Sequence, residues 1–223
     1  MSQVTSGFRF VLSVPYVYEL FQKIMGAEKA RKRFISDYID GYQVKNILDI
    51  GCGPADIVEY LSDVDYYGFD ISDAYINNAK LRFGERGKFY AKSIALDDLD
   101  NLPKFDLVIM HGLLHHIDDV TAAKLLGIAW EALDQAGRLV TVDGCLVEGQ
   151  NPIARYLIKH DRGQNIKTED GYRNLVSTIF DDVESKVHHQ SWVPYTLCYM
   201  ECRRGKGDKK GVISNAKSSP DFT

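Results

Sequence analysis

The chain has 223 residues, 45% of them apolar and 26% charged, enough apolar material for one globular domain with a sizeable core. Its formal net charge of −4 is uneven: Arg203 to Thr223 carries six basic residues and two acids, so the overall −4 less the tail's +4 leaves −8 on the body. An acidic body excludes nucleic acid as the main partner, because phosphate binding needs a basic face.

Cys52, Cys145, Cys198 and Cys202 show no Cys-x-x-Cys spacing. A chain this long needs no disulfide staples, so reduced thiols in a soluble, cytoplasmic protein are expected. Phe8 to Phe21 is apolar but interrupted by Arg9, Pro15 and Glu19. It is too short to span a membrane, and no small-residue cleavage site follows, so no membrane partner is expected. No His, Cys, Asp or Glu cluster has metal-ligand spacing, and no metal is expected.

Residues 1–45 are expected to form a helical N-terminal cap. From about Tyr16 to Asp40 the pattern is helical with a break near Gly26, and Ala30, Phe34, Ile35 and Tyr38 form one apolar face placed over an edge or mouth of the sheet. Asn46–Ile50 reads as a buried strand, and the glycine turn Gly51–Gly53 leads into a helix from about Ala55 to Leu61. Tyr66–Asp70 is the second strand; Ser72 caps a helix carrying Ile76, Ala79 and Phe83 that stops at Gly84. Strands Lys88–Lys92 and Phe105–Met110 follow. A helix opened by Asp118 or Asp119 comes next, then Gly137 and a fifth strand, Arg138–Asp143. Strands alternating with helices imply a parallel α/β sheet. Residues 146–180 read as a helical insertion with pieces Pro152–Lys159 and Thr168–Ser177. Val183–His189 and Val193–Cys202 read as an antiparallel pair at the sheet edge, closing a domain that runs over 46–202; 203–223 is expected to be a disordered basic tail.

Ligands of open α/β sheets bind beyond the carboxyl ends of the strands. Asp49 lies inside an apolar strand, where an acid is costly without a partner. A dinucleotide turn would want a third glycine three residues after Gly53, where Asp56 stands. Acids on both sides of the turn disfavour pyrophosphate and favour a cationic ligand. Asp70, 21 residues after Asp49, ends the second strand, where a carboxylate can accept both hydroxyls of a ribose. Ribose with a cationic end and no phosphate describes S-adenosylmethionine.

Asp49-Ile50-Gly51-Cys52-Gly53, Gly68-Phe69-Asp70-Ile71-Ser72, and Phe105-Asp106-Leu107-Val108 followed by Leu113-Leu114-His115-His116 resemble the successive motifs of class I S-adenosylmethionine-dependent methyltransferases. The resemblance spans roughly Asn46 to Asp143. It implies a Rossmann-like, doubly wound, seven-stranded sheet, mostly parallel with an antiparallel edge strand, and a cofactor, S-adenosylmethionine, that leaves as S-adenosylhomocysteine. It further implies that Asp49, Gly51, Cys52 and Gly53 line the methionine part, Asp70 holds the ribose and Ile71 packs on adenine. Ser93 and Ile94 would face the adenine edge, and His111 would touch the amino-acid end mainly through backbone. Ala55 replaces a third glycine common in the family, and Ser93 stands where an acid is frequent.

Methyl transfer needs alignment more than acid–base help, but a hydroxyl nucleophile also needs a base. His115 and His116 follow the fourth strand and are the catalytic candidates, although the position of His116 is often structural in the family. Candidates for lining the acceptor site are Tyr16, His160, Arg162, Tyr172 and Tyr195; core packing, or a salt-bridged hinge at His160–Arg162, competes with that role. His188 and His189 read as structural. The resemblance thus implies methylation of a small-molecule acceptor, first of oxygen, by a monomer or homodimer. Nitrogen or carbon acceptors, or a non-catalytic protein of the same fold, remain alternatives. A nicotinamide oxidoreductase is disfavoured by Asp49 and Asp56, and an aminopropyltransferase by the histidines after the fourth strand.

Overall fold

The computed structural model of the protein describes residues 27–159, 163–190 and 195–205. Tyr16, His160, Arg162, most of the expected cap and nearly all of the basic tail lie outside them.

Seven strands pair in the order β3-β2-β1-β4-β5-β8-β7. They are β1 (Asn46–Ile50), β2 (Asp65–Asp70), β3 (Gly87–Ala91), β4 (Phe105–His111), β5 (Leu133–Leu146), β7 (Asp182–Gln190) and β8 (Tyr195–Arg203). Lys167–Thr168, β6, pairs with the end of β5 off this path. β1 to β5 are parallel, and β8 runs antiparallel to both β5 and β7. The reversed strand is thus one in from the edge, and β7 is the edge itself.

Both faces of the sheet are covered, which is why β1 and β4 are almost uninterruptedly apolar. Leu48, Ile50, Val108 and Met110 pack on one side with helices α3 (Asp119–Ala132) and α5 (Glu169–Val176). Ile47, Leu107, Ile109 and Tyr66 pack on the other with α1 (Ala27–Tyr38) and α2 (Asp73–Phe83). α4 (Pro152–Lys159) is the first helix of the expected insertion. α1 lies across the sheet face and reaches both the edge strand β7, where Arg33 meets His188, and the carboxyl end of β4, where Phe34 meets His111. Phe34, Ile35 and Tyr38 are buried on the sheet face, and Tyr38 stacks on Tyr199 of β8 with centroids 5.8 Å apart. Ser72, Asp118 and Thr168 cap α2, α3 and α5 through their side chains.

Two expectations need correction. The helix after the glycine turn is only a 3₁₀ segment, Asp56–Tyr60, because Ala55 adopts the left-handed conformation at φ 55° and breaks the α-helical path. Gly137 lies within β5 instead of ending a turn before it. A Cβ there would stand 2.5 Å from the Phe105 carbonyl oxygen, so only glycine allows this approach of β5 to β4. Among the described residues no helix is long and apolar enough to cross a membrane. All four cysteines are free.

Gly137→Ala is expected to lower unfolding stability by about 1–3 kcal/mol, the usual range for forcing a methyl into a packed interior. Urea denaturation measures it, and an unchanged midpoint would show that β5 does not need the glycine.

Candidate active site

Parallel strands place their carboxyl ends on one side, and the motif residues meet there. β1 ends in the turn Gly51–Gly53, beside the ends of β2 and β4. Gly51 and Gly53 take φ +78° and +54°, the region glycine enters freely, and a Cβ on Gly53 would meet nothing within 4 Å. The turn therefore opens onto space.

The N–H groups of this turn are engaged within the protein. Gly51 N and Cys52 N both donate to Phe69 O, at 2.7 and 3.1 Å. Gly53 N donates to Asp70 Oδ2 at 2.9 Å, and Ala55 N to Cys52 O at 3.0 Å. With those donors engaged and no α-helix beginning after the turn, two features of a phosphate cradle are missing.

Asp49 is 4% exposed. Its Oδ2 accepts from the Tyr66 hydroxyl at 2.6 Å, and its Oδ1 is buried with no hydrogen-bond partner. Desolvation raises its pKa to about 7; the Tyr66 hydrogen bond opposes the rise and the charge of Asp70 adds to it. Such an oxygen suits a cationic donor. Asp56 is different from the sequence reading. It pairs with Arg31 of α1 at 2.7 Å and with Arg82 of α2, so its charge is held within the protein and ties both helices to the 3₁₀ segment.

Asp70 is half-buried at the end of β2. Each of its oxygens takes one backbone N–H, Oδ1 from Ser72 at 2.8 Å and Oδ2 from Gly53, which orients the carboxylate and leaves lone pairs on both oxygens. Ile71 beside it is 51% exposed, and Ser93 is exposed two residues beyond the end of β3. Ile94 is different: its side chain, 3% exposed, belongs to the core. Cys52 is half-buried, and burial raises its thiol pKa. His111 ends β4 with its ring 5.9 Å from that of Phe34. The residue is exposed, yet the protein atoms packed around its ring lower its pKa by desolvation.

Beyond β4, His115 is 6% exposed. Asp143 of β5 accepts from His115 Nδ1 at 2.8 Å and from its backbone N at 3.2 Å. An ionised carboxylate only accepts, so the hydrogen of this contact lies on Nδ1. The His116 ring lies 4.0 Å from that of His115. Gly163 closes over His115, leaving no room for a Cβ, and Asn165 N donates to His115 O at 3.0 Å. Tyr172 is 1% exposed and donates to Gly144 O at 2.9 Å, so it packs in the core and is closed to an acceptor. Tyr195 lies against Gly144, its hydroxyl 3.0 Å from where a Cβ would be. His188 and His189 are engaged by Arg33 and Thr196. Among the described residues no three acidic, His or Cys groups are placed to hold a metal.

Two partners escaped the sequence reading, Asp143 and Tyr66. Asp143 carries the same signal as Asp49, an acid inside an apolar strand. Tyr66 carries none, because a tyrosine in a buried strand is ordinary.

The folded pKa of Asp49 lies above its unfolded value of 3.8, so without added ligand the folded state holds the extra proton. Its stabilising contribution is full below about pH 4 and is lost as pH rises toward 7. Asp49→Asn is expected to match the parent at pH 4 and to exceed it at pH 8 by up to about 4 kcal/mol in urea denaturation, from a rise of 3.8 to about 7. Parallel curves for the two proteins would contradict an unpaired buried carboxylate.

Residues 48–146 match the family model described as "Methyltransferase domain". Myricetin 3'/5'-O-methyltransferase 1 of Solanum habrochaites is 29% identical over 117 residues, 50% of this chain and 30% of that protein. Myricetin 3'-O-methyltransferase 4 of Solanum lycopersicum is 26% identical over 133 residues, 58% of this chain and 34% of that one. The chain thus spans about a third of the length of the curated relatives it matches. Among solved structures, the S-adenosylmethionine-dependent methyltransferase SibL superposes with a TM-score of 0.63 at 18% identity, covering 87% of this chain and 61% of that one. A SAM-dependent methyltransferase from Archaeoglobus fulgidus gives 0.63 at 17%, covering 83% and 99%. The plantazolicin methyltransferase BamL, solved with a triazolic desmethyl analogue and S-adenosylhomocysteine, gives 0.61 at 16%, covering 88% and 94%. At these identities the likeness is one of fold. The fold is the one shared by these solved S-adenosylmethionine-dependent methyltransferases, and the methyltransferase-domain match lies within it at residues 48–146.

Proposed function

We propose that this chain moves a methyl group from S-adenosylmethionine to an oxygen of a small-molecule acceptor. The observation that carries the reading is the polarity of the glycine turn: its N–H groups are engaged by protein oxygens, while Asp49 Oδ1 lies buried beneath it without a partner. That arrangement rejects pyrophosphate and accepts an ammonium. Asp70 would hold the ribose hydroxyls, Ile71 the adenine face and Ser93 the adenine edge. The cofactor supplies a methyl on a sulfonium, an electrophile that needs no further activation.

On the acceptor side the Asp143–His115 pair supports proton removal. Asp143 fixes the ring through Nδ1 and stabilises the imidazolium that forms when Nε2 takes the acceptor's proton. His116 packs on the His115 ring and steadies its plane. Two curated relatives named as O-methyltransferases favour oxygen. Tyr16, His160 and Arg162 stay candidates for the acceptor wall, with residues 1–45 as its cap.

A second reading has one observation behind it. His115 is 6% exposed, so the dyad can serve to tie the loop after β4 to β5. In that case the acceptor would be a nitrogen whose lone pair needs no base.

Calorimetry with S-adenosylmethionine and S-adenosylhomocysteine, followed by a screen of small hydroxylated acceptors for S-adenosylhomocysteine release, tests the proposal. Binding of both is expected, and binding of neither would refute it. Asp70→Ala is expected to weaken binding by about tenfold or more, the usual loss for hydrogen bonds to a charged group. His115→Ala is expected to keep cofactor affinity and to lower turnover by about 10²- to 10⁴-fold, the range for a general base. Full turnover in that variant would favour the nitrogen reading.

A further inference from the structure

Asp49 and Tyr66 face the same side of the sheet. Register pairs Asp49 with Gly68 and Ile47 with Tyr66, so the Tyr66 ring lies diagonal to Asp49 and reaches it along β2. Gly68 makes the reach possible. A Cβ there would stand 2.8 Å from Cys52 Sγ and 3.0 Å from Tyr66 Cε1, filling the space in which the ring and the thiol meet. The hydroxyl then donates to Oδ2 at 2.6 Å, in a region where Tyr66 is 1% exposed, and leaves Oδ1 as the unmatched oxygen.

We infer that Tyr66 is a positioning residue of the cofactor site, holding Asp49 so that arrival of the cofactor's ammonium releases the Asp49 proton to solvent. The inference rests on the cofactor assignment above. Before binding, burial favours the neutral acid; the ammonium brings the charge that the carboxylate lacks. The proton leaves, an ammonium–carboxylate pair replaces it, and the Tyr66 hydroxyl continues to donate to Oδ2. Binding and proton release are then linked and reciprocal.

The other groups around Asp49 do not supply that charge. From β2 come Tyr66 and Asp70, and from the turn Cys52, whose thiol burial keeps neutral. From β4 the neighbours on this face are Leu107, Ile109 and His111, whose imidazole desolvation keeps neutral by lowering its pKa to about 4. The nearby guanidiniums of Arg31 and Arg82 are paired with Asp56. A cation for Asp49 has to come from outside the protein.

Calorimetry with S-adenosylhomocysteine, which carries the same ammonium, tests the inference between pH 5.5 and 8.5 in buffers of different ionisation enthalpy. Wild type is expected to release about one proton per ligand near pH 6 and little at pH 8.5, following the titration of one carboxyl. Tyr66→Phe keeps the volume and removes the donor. It is expected to bind about tenfold more weakly near pH 6.5, to recover affinity as pH rises, and to release its proton over a higher pH range. Asp49→Asn is expected to bind weakly at every pH without proton release, and adding Tyr66→Phe to it is expected to change nothing further. A Tyr66→Phe protein with the wild-type pH profile, or with a loss equal at all pH values, would overturn the positioning role. Wild type that binds without releasing a proton overturns the linkage even if Tyr66→Phe does not fold. Wild type that does not bind overturns the cofactor assignment together with this inference.

Discussion

A carboxyl group buried at the end of the central strand is the constraint on which the rest of this site depends. Asp49 lies between two apolar layers, where an ionised carboxylate without partners is strongly disfavoured. The protein half-solves the problem. Tyr66 satisfies one oxygen, Gly68 clears the space for that tyrosine, and Gly51 turns the chain tightly over the top. The second oxygen is left for something that the chain itself does not provide. Under the turn lies a buried carboxyl with one oxygen unpartnered.

The same region shows how neighbouring acids can have opposite fates. Asp56 is seven residues from Asp49, yet two arginines neutralise it and make it a knot joining α1, α2 and the 3₁₀ segment. Asp70 is held by two backbone N–H groups, one of them from the turn itself, so the glycine turn and the end of β2 are fixed relative to each other. Asp143 holds an imidazole. Asp49, Asp70 and Asp143 are placed by β-strands; Asp49 and Asp143 each keep one buried oxygen without a partner, and that of Asp49 lies beside the glycine turn.

Much of this was legible in the sequence, and the limits have physical causes. Strand positions and helix caps follow from local patterns, apolar runs between turns and Ser, Asp or Thr at helix starts, so β1 to β4, α2, α3 and α5 stand close to where the pattern puts them, and β5 contains its expected span. Asp49, Gly51, Gly53 and Asp70 were legible because glycine and acid at strand ends are locally unusual. Whether a turn N–H is free was not legible, since it depends on Phe69 and Asp70, 17 or more residues away. Ala55 looked like a harmless helix start, and only its left-handed backbone shows why glycine is common at that position. The partnership of His115 with Asp143 spans 28 residues and two strands, a pairing that no spacing rule encodes.

The central claim is that the Asn46–Ile57 stretch, with Asp70, cradles the amino-acid and ribose parts of S-adenosylmethionine. A titration of ¹⁵N-labelled protein with S-adenosylhomocysteine, followed by amide chemical shifts, tests it directly. The largest saturable shifts are predicted at Gly51, Cys52, Gly53, Ile71 and Ser72, with the amides of β7 at the far edge of the sheet left still. Shifts absent from the glycine turn, or centred on β7 instead, would contradict it.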